Sequence, residues 1–512
     1  MKEYNLEPEE KKILDILSGM YGRRLPIGDE LKYGVGIKIE NNTIVEIGLN
    51  GYYHGYHEIP DAIQNLINLK KLFLDQLSIS KLPEWMGELH NLQVLSLVRN
   101  EFSSIPDCLF KLKKLSKLSL RANQFDPKGE TINGLEPLKA LDLGYNKFEI
   151  FPENITKLDS LEVLWLDYNK LTDIPHTINK LGSLQKLYLD GNPFQDFPET
   201  ISTLNNLKLL DISNTCIGDF PVSVGRMGSL QTLHMGNNRF TTFPESVLQF
   251  KSLKHLWLNN NEMKSLPESI LNLKTLEGIN LGSNKFETFP EELTKLKTLQ
   301  VILLSDNELA ALPKSITNLK ALRELFISHN RIKEFPENLG ELKSLERLSL
   351  NRNGINSLPH SIFELESLKI LELASNGLKE LPETIGNLGN LEELYLQGNF
   401  IKKLPVGIGE LKSLKELNLT VNELENLLDE ICKLKSLQVL KLGHNRLKEL
   451  PESIGDLLSL KELNLTTNRL KSIPDSIGLL QSIERIDLSY NAFFDLPESI
   501  NGLIEKGASI IR

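Results

Sequence analysis

The chain has 512 residues, which an average domain size would divide into about three domains, but length alone does not divide an internally repetitive sequence. With 68 acidic against 58 basic residues the formal charge is −10, which argues against a general electrostatic hold on nucleic acid or an anionic membrane. Forty per cent hydrophobic and 25% charged residues exclude disorder, collagen-like sequence and a polytopic membrane protein.

The first residues, MKEYNLEPEEKKILDILSG, are charged from the second position and lack the apolar core of a signal peptide, and no run of 18 apolar residues occurs anywhere. Ile13, Leu14, Leu17 and Met20 suit one face of a short helix, opened by Pro8, Glu9 and Glu10 with acids at its positive end. GVGIKIENNTIVEIGL then reads as a hairpin turning at Asn41 and Asn42. Residues 1–43 are therefore expected to form the cap of an array whose first strand is Ile44 to Leu49. The loop YYHGYHEIP, Tyr52 to Pro60, is two residues longer than its later counterparts. Its histidines, His54 and His57, have no nearby carboxylate or cysteine in the sequence, so no metal site is expected there.

From Leu77 to Asn491 an equivalent position recurs every 23 residues, nineteen times. Seventeen of these are asparagine, Leu77 and Thr215 being the exceptions, and the spacing does not slip at either. Six residues further on stands proline, except at Gly129 and Leu428. One unit shows the pattern in Leu437, Leu440, Leu442, Asn445, Leu447, Leu450, Pro451, Ile454 and Leu457. The L-x-L step has the two-residue period of a short strand with one buried face. Asparagine ends that strand, because its amide both donates and accepts where the backbone turns. Proline offers no N–H, so the opposite side of each turn is expected to be extended or a short helical turn. A lone unit cannot cover its own apolar residues, so the units must stack, each completing its neighbour's core and strand hydrogen bonds.

On these motifs the chain resembles a leucine-rich repeat protein of the 23-residue LPxxIxxL class, typified by the Ras-group scaffolds, the Scribble-like and Ras-suppressor-like proteins and their plant and prokaryotic relatives. The resemblance covers about nine-tenths of the chain. It implies an α/β leucine-rich repeat solenoid, a right-handed curved superhelix with about 20 parallel strands on its concave side and an extended or short-helical convex side. The array is expected over residues 44–505, with 506–512 an incomplete last unit: either Ser509 to Ile511 form a stub strand or a natural C-terminal extension is missing. Two units break pattern. The stretch after Asn123 carries Pro127, Gly129, Gly134 and Pro137, and the one after Asn422 has Leu428 for proline; both are expected to change the local conformation of the convex side.

Catalytic motifs are missing: there is no P-loop, HExxH, kinase signature or GxSxG elbow, and the residues are committed to repeat and caps. A non-enzymatic chain without cofactor or metal is expected. Cys108, Cys216 and Cys432 are odd in number and far apart, which fits a reducing, cytoplasmic setting, with Cys432 as small core filler. The sequons at Asn154, Asn418 and Asn464 read as by-products of a repeat rich in Asn, Leu and Thr.

The consensus leaves free the residue between the second and third leucines of each strand, which points outward. Along that column Asp142, Trp165, Tyr188, Asp211, His234 and Trp257 fall in succession, and the neighbouring columns add Tyr145, Asp167, Tyr168 and Asp190. Aromatic residues on adjacent strands form the amphipathic area that dominates binding hot spots. A second patch gathers Leu303, Arg323, Phe326, His329, Arg347 and Arg352. The expected role is a scaffold whose concave sheet binds a protein. The resemblance points to small-GTPase-linked signalling, and the aspartates beside the rings call for a partner segment with arginine or lysine next to an apolar side chain. Some relatives dock a phosphatase through a basic-x-Val-x-Phe peptide, which Lys32-Tyr33-Gly34-Val35-Gly36-Ile37 approximates poorly. Two alternatives stay open: the recognition module of a larger enzyme, and a secreted receptor or adhesin.

Overall fold

The computed structural model describes residues 6–20, 25–28, 31, 35–50, 59–125, 135–218, 220–493 and 495–512. Both loop histidines, His54 and His57, the Pro127 to Gly134 stretch and Lys32 to Gly34 lie outside them. Helix α1, Pro8–Met20, buries Ile13, Leu14 and Leu17, and Glu10 Oε1 accepts from the Ile44 N–H at 3.3 Å, fastening helix to hairpin. Strands β1 (Gly36–Glu40) and β2 (Thr43–Gly48) are antiparallel, and Asn41 and Asn42 turn between them with φ of 50° and 60°. Two successive left-handed residues match the twist of a tight hairpin, and asparagine tolerates that conformation best after glycine. β2 then pairs in parallel with β3 (Lys71–Phe73).

From β3 on, each repeat contributes one three-residue strand. The chain divides into two compact units, one formed by Met1–Phe240 with Pro244–Leu253, the other by Thr241–Phe243 with Lys254–Arg512. The first holds strands up to β10 (Thr232–His234), the second β11 (His255–Trp257) to β22 (Ser509–Ile511), twenty-two strands among the described residues. Within each unit, neighbouring strands are parallel and offset by 23 residues, as where Leu118 faces Leu141 or Leu394 faces Leu417. The middle leucine or isoleucine of every three-residue strand from Leu72 to Ile486 has no solvent exposure, so a one-residue slip would turn the core side chain outward. Only the end steps differ. Ile47 faces Leu72 across the longer loop, and Ile486 faces Ile510, because helix α2 (Ser499–Glu505) replaces the usual turn and adds a residue.

The far side of most repeats is a five-residue 3-10 helix opened by the proline. Pro267, with ψ of 153°, cannot donate, but its carbonyl accepts from the Ile270 N–H at 3.1 Å and starts the turn. Leu428 departs from this less than its sequence suggests. Its φ and ψ of −82° and 150° match the prolines, and Asp429–Lys433 forms the same 3-10 helix, because an extended residue is needed there and an absent N–H is not. The expected local change is therefore not found at Leu428.

The asparagines stitch repeat to repeat. Asn284 Nδ2 donates to the Leu258 carbonyl of the preceding repeat at 2.9 Å and to Leu281 O at 3.0 Å, while its Oδ1 accepts from the Met263 N–H at 3.0 Å. The residue just before each asparagine is left-handed, with φ near 50–57° at Tyr145, Asp306, Arg352 and Val421 alike. Its N–H reaches the next repeat, as Val421 does to Gly443 O at 2.9 Å. A β-branched side chain is poorly suited to that backbone. Val421 is exposed, so Val421→Asn should raise stability by about 1 kcal/mol, read as a higher denaturant midpoint with unchanged slope.

Candidate functional site

In the first unit, β6 (Ala140–Asp142), β7 (Val163–Trp165), β8 (Lys186–Tyr188) and β9 (Leu209–Asp211) lie side by side in register. Each ends in an outward residue, so Asp142, Trp165, Tyr188 and Asp211 form one row. The Trp165 and Tyr188 rings stack at 5.5 Å with planes 8° apart, and Lys117 lies 6.0 Å from the Trp165 ring. Three residues beyond the row, on the left-handed positions, Tyr145 and Tyr168 stack at 4.3 Å with both rings exposed. Two aromatic pairs, one per column, thus run across the repeats of β6 to β8 and share the β7 repeat.

Between the columns sits an ion pair that residue spacing does not disclose. Arg121 forks onto Asp167, Nη1 to Oδ1 at 2.9 Å and Nη2 to Oδ2 at 2.6 Å, and its guanidinium lies 4.5 Å from the centre of the Tyr145 ring. It also reaches Asp142 at 3.5 Å, whose other oxygen accepts from Ser119 Oγ at 2.9 Å. Asp167 is buried beneath this contact, so it holds Arg121 and does not face solvent. Glycines carry the signal that would have found the arrangement. A Cβ on Gly144 would come within 2.3 Å of Arg121 Nη1 and 2.5 Å of Asp167 Oδ1, and one on Gly191 within 2.8 Å of the Tyr168 ring. A side chain at either position would push the guanidinium or the ring out of place.

Asp211 accepts from the Ser213 N–H at 2.9 Å and contacts His234 Nδ1 at 3.0 Å. Asp190 differs from the other three aspartates: no side chain among the described residues bonds to its carboxyl group. Burial first, then the charges of Asp211 and Asp167, push it up to about 7, while a hydrogen bond from its own backbone N–H and, after it, Arg121 pull the other way. An aspartate in an unfolded chain titrates near 4, so the folded state favours the protonated form, and the resulting stability is present below pH ~4 and lost as pH rises to about 7. Asp190→Asn should therefore match wild type at pH 4 and exceed it by about 1–2 kcal/mol at pH 8, a figure reduced because the carboxyl is partly solvated. Denaturant midpoints at the two pH values check this. A constant difference would assign the effect to packing.

The remaining candidates are placed differently. Trp257 belongs to the second unit, where its ring lies 5.9 Å from His255 and close over Gly278. In that unit Phe326 is covered by Arg347 at 5.0 Å, and Arg347 is itself held by Glu372, Nε to Oε1 at 3.0 Å with a second contact from Nη2. Glu372 also accepts from Ser349 and Asn351. Arg323 approaches Glu346 at 3.6 Å and His329 approaches Asp306 at 3.4 Å. Leu303 and Arg352 sit on the outward positions of their repeats. The second patch is thus an internally paired polar network around one ring, whereas the first holds two stacked aromatic pairs, of which the Tyr145 and Tyr168 rings are exposed. Among the described residues, no group of three or more His, Cys, Asp or Glu side chains is placed to hold a metal. No helix in them is long and apolar enough to cross a membrane.

These features define a repeat-built sheet surface, and comparison with known proteins gives its class. A leucine-rich repeat region model matches residues 198–286 and 347–444, and a second leucine rich repeat model matches 67–125, 148–194, 297–355 and 436–493. A leucine-rich repeat protein of Leptospira interrogans is similar in structure, with 32% identity and a TM-score of 0.59 over 85% of this chain and 99% of that one. The TDR receptor aligns at 29% identity and TM-score 0.54, over 88% of this chain and 85% of its own. The plant peptide hormone receptor RGFR1, solved in complex with RGF2, aligns at 26% identity and TM-score 0.52 over 92% and 85%. No curated protein matches the chain. The chain belongs to the leucine-rich repeat family, whose solenoids are typically modules for binding other proteins.

Proposed function

We propose that this chain is a non-enzymatic scaffold that binds a segment of a partner protein on the sheet face of its first unit. The observation that carries the reading is the pair of aromatic stacks, Trp165 with Tyr188 and Tyr145 with Tyr168, held at equivalent positions of adjacent repeats. Rigid aromatic area costs little side-chain entropy to present and forms the centre of most binding hot spots. Support also comes from the similar plant receptor, whose structure is of a complex with a peptide hormone. A small GTPase as the partner rests on the resemblance to Ras-group scaffolds alone. The three unpaired cysteines fit a cytoplasmic setting, with Cys108 and Cys432 buried and Cys216 exposed.

The test begins with a photoreactive amino acid at Lys186, an exposed position beside the stack, to capture what binds there. Replacing Trp165 and Tyr188 together by alanine should then weaken the captured partner by about 2–4 kcal/mol, roughly 30- to 1,000-fold in Kd, with the fold intact by circular dichroism. Unchanged affinity, with losses on substitution along the 3-10 side instead, would move the site off the sheet.

A further inference from the structure

The first unit already contains one complete example of the recognition its surface is built for. Arg121 lies over Tyr145 at 4.5 Å while both of its terminal nitrogens bond to one carboxylate, Asp167. A planar guanidinium satisfies ring and carboxylate at once because its flat face is apolar enough to stack and its edge is a fork of donors. That pairing accounts for Asp167 and part of the charge of Asp142, and His234 stands beside Asp211. Asp190 remains without a side-chain partner among the described residues, one repeat beyond Asp167 on the same column. Next to it on the sheet is Tyr188. Trp165 of β7 occupies one face of that ring, and the other face turns toward β9 and Asp211. Both Asp190 and Asp211 act electrostatically on the Tyr188 hydroxyl, which places the ring and the two carboxylates in one neighbourhood.

We propose that Asp190 and the β9-facing side of the Tyr188 ring form a seat for one arginine side chain of the partner segment, repeating with a partner residue what Arg121 does within the chain. This rests on the reading that the sheet face of the first unit is the binding surface. Charge complementarity selects the occupant. The groups facing Asp190 are Asp167 and Asp211, both negative, Tyr168 and Tyr188, and Arg121, whose bonds are directed to Asp167 and Asp142. A guanidinium entering there meets a carboxyl group without a counter-charge, whose ionised form it would stabilise, the Asp211 carboxylate beside it and an aromatic face. A partner carboxylate would meet two like charges.

The test uses the full chain and a displayed library of random dodecapeptides, with wild type, Asp190→Asn and the double variant Trp165→Ala, Tyr188→Ala as baits. Peptides selected on wild type should share an arginine beside an apolar residue. Resynthesised with citrulline, which keeps shape and loses charge, they should bind wild type at least tenfold more weakly, while Asp190→Asn should discriminate less than threefold between the two forms. Selected peptides without a basic residue, or an equal citrulline penalty on wild type and Asp190→Asn, would overturn the arginine seat and leave the sheet face standing. Peptides that bind the Trp165, Tyr188 double variant as tightly as wild type, or a library that yields none preferring wild type to it, would overturn the sheet-face reading itself.

Discussion

Arg121→Ala should destabilise the chain by about 3–4 kcal/mol, the largest effect expected of any single change on the sheet surface. The cost comes from what is left behind. Asp167 has only 5% of its side chain exposed, and both its oxygens are held by the guanidinium at 2.9 and 2.6 Å. Removing the arginine leaves a buried carboxylate with no counter-charge, a situation that costs about 3–5 kcal/mol. Arg121 itself is 31% exposed, so water re-entering through the gap sets the expectation at the lower end. Lysine should rescue little, since one ammonium cannot fork or lie flat on Tyr145. Combining Arg121→Ala with Asp167→Asn should recover about half the loss, because the second change removes the stranded charge. A loss under about 1 kcal/mol for Arg121→Ala, or no recovery in the double variant, would show that Asp167 is solvated and the pair is an ordinary surface contact.

Asn284→Ala should cost about 2–4 kcal/mol. Alanine abandons the Leu258 and Leu281 carbonyls and strands the Met263 N–H in a buried strip between repeats, where each unmet group costs about 1–3 kcal/mol before relaxation. Asn284→Thr should cost less, since Thr215 shows the partial solution. Its Oγ1 lies 2.8 Å from the Ile212 carbonyl, and its N–H still reaches Asn238 Oδ1 at 3.0 Å. Denaturant midpoints for the two variants decide the matter. Equal and negligible losses would mean that the repeats are held by their leucines alone.

The repeat, its register and the strand count are legible in the sequence because a 23-residue period repeated nineteen times leaves one alignment of the apolar positions. The aromatic columns are legible for the same reason, since outward positions are settled once inward ones are assigned. Arg121 is not. Its Cα belongs two repeats away from Asp167, and only the length of an arginine side chain, crossing above Gly144, joins them. Sequence spacing assigns a residue to its own repeat, so a side chain that spans repeats escapes it. The same limit makes four aspartates look like one negative rim, when Asp167 is buried under its partner and Asp190 alone lacks one. Leu428 misleads in the other direction, because the neighbouring prolines suggest a requirement for proline where the backbone requires only an extended residue.

The asparagine stitch also fixes how a gene for such a chain can change length. Every bond that Asn284 makes runs within its own repeat or to the one before it, at offsets of 2, 3, 21 and 26 residues that recur at Asn307, Asn330 and Asn376. Excising or duplicating 23 residues inside a unit joins equivalent positions and restores each of these bonds with a new neighbour. Losing one or two residues between a strand and its asparagine would instead break several bonds at once. Unequal recombination between repeats is therefore tolerated where small frame-preserving indels are not, and the row of outward side chains can be lengthened, shortened or reordered as whole tiles.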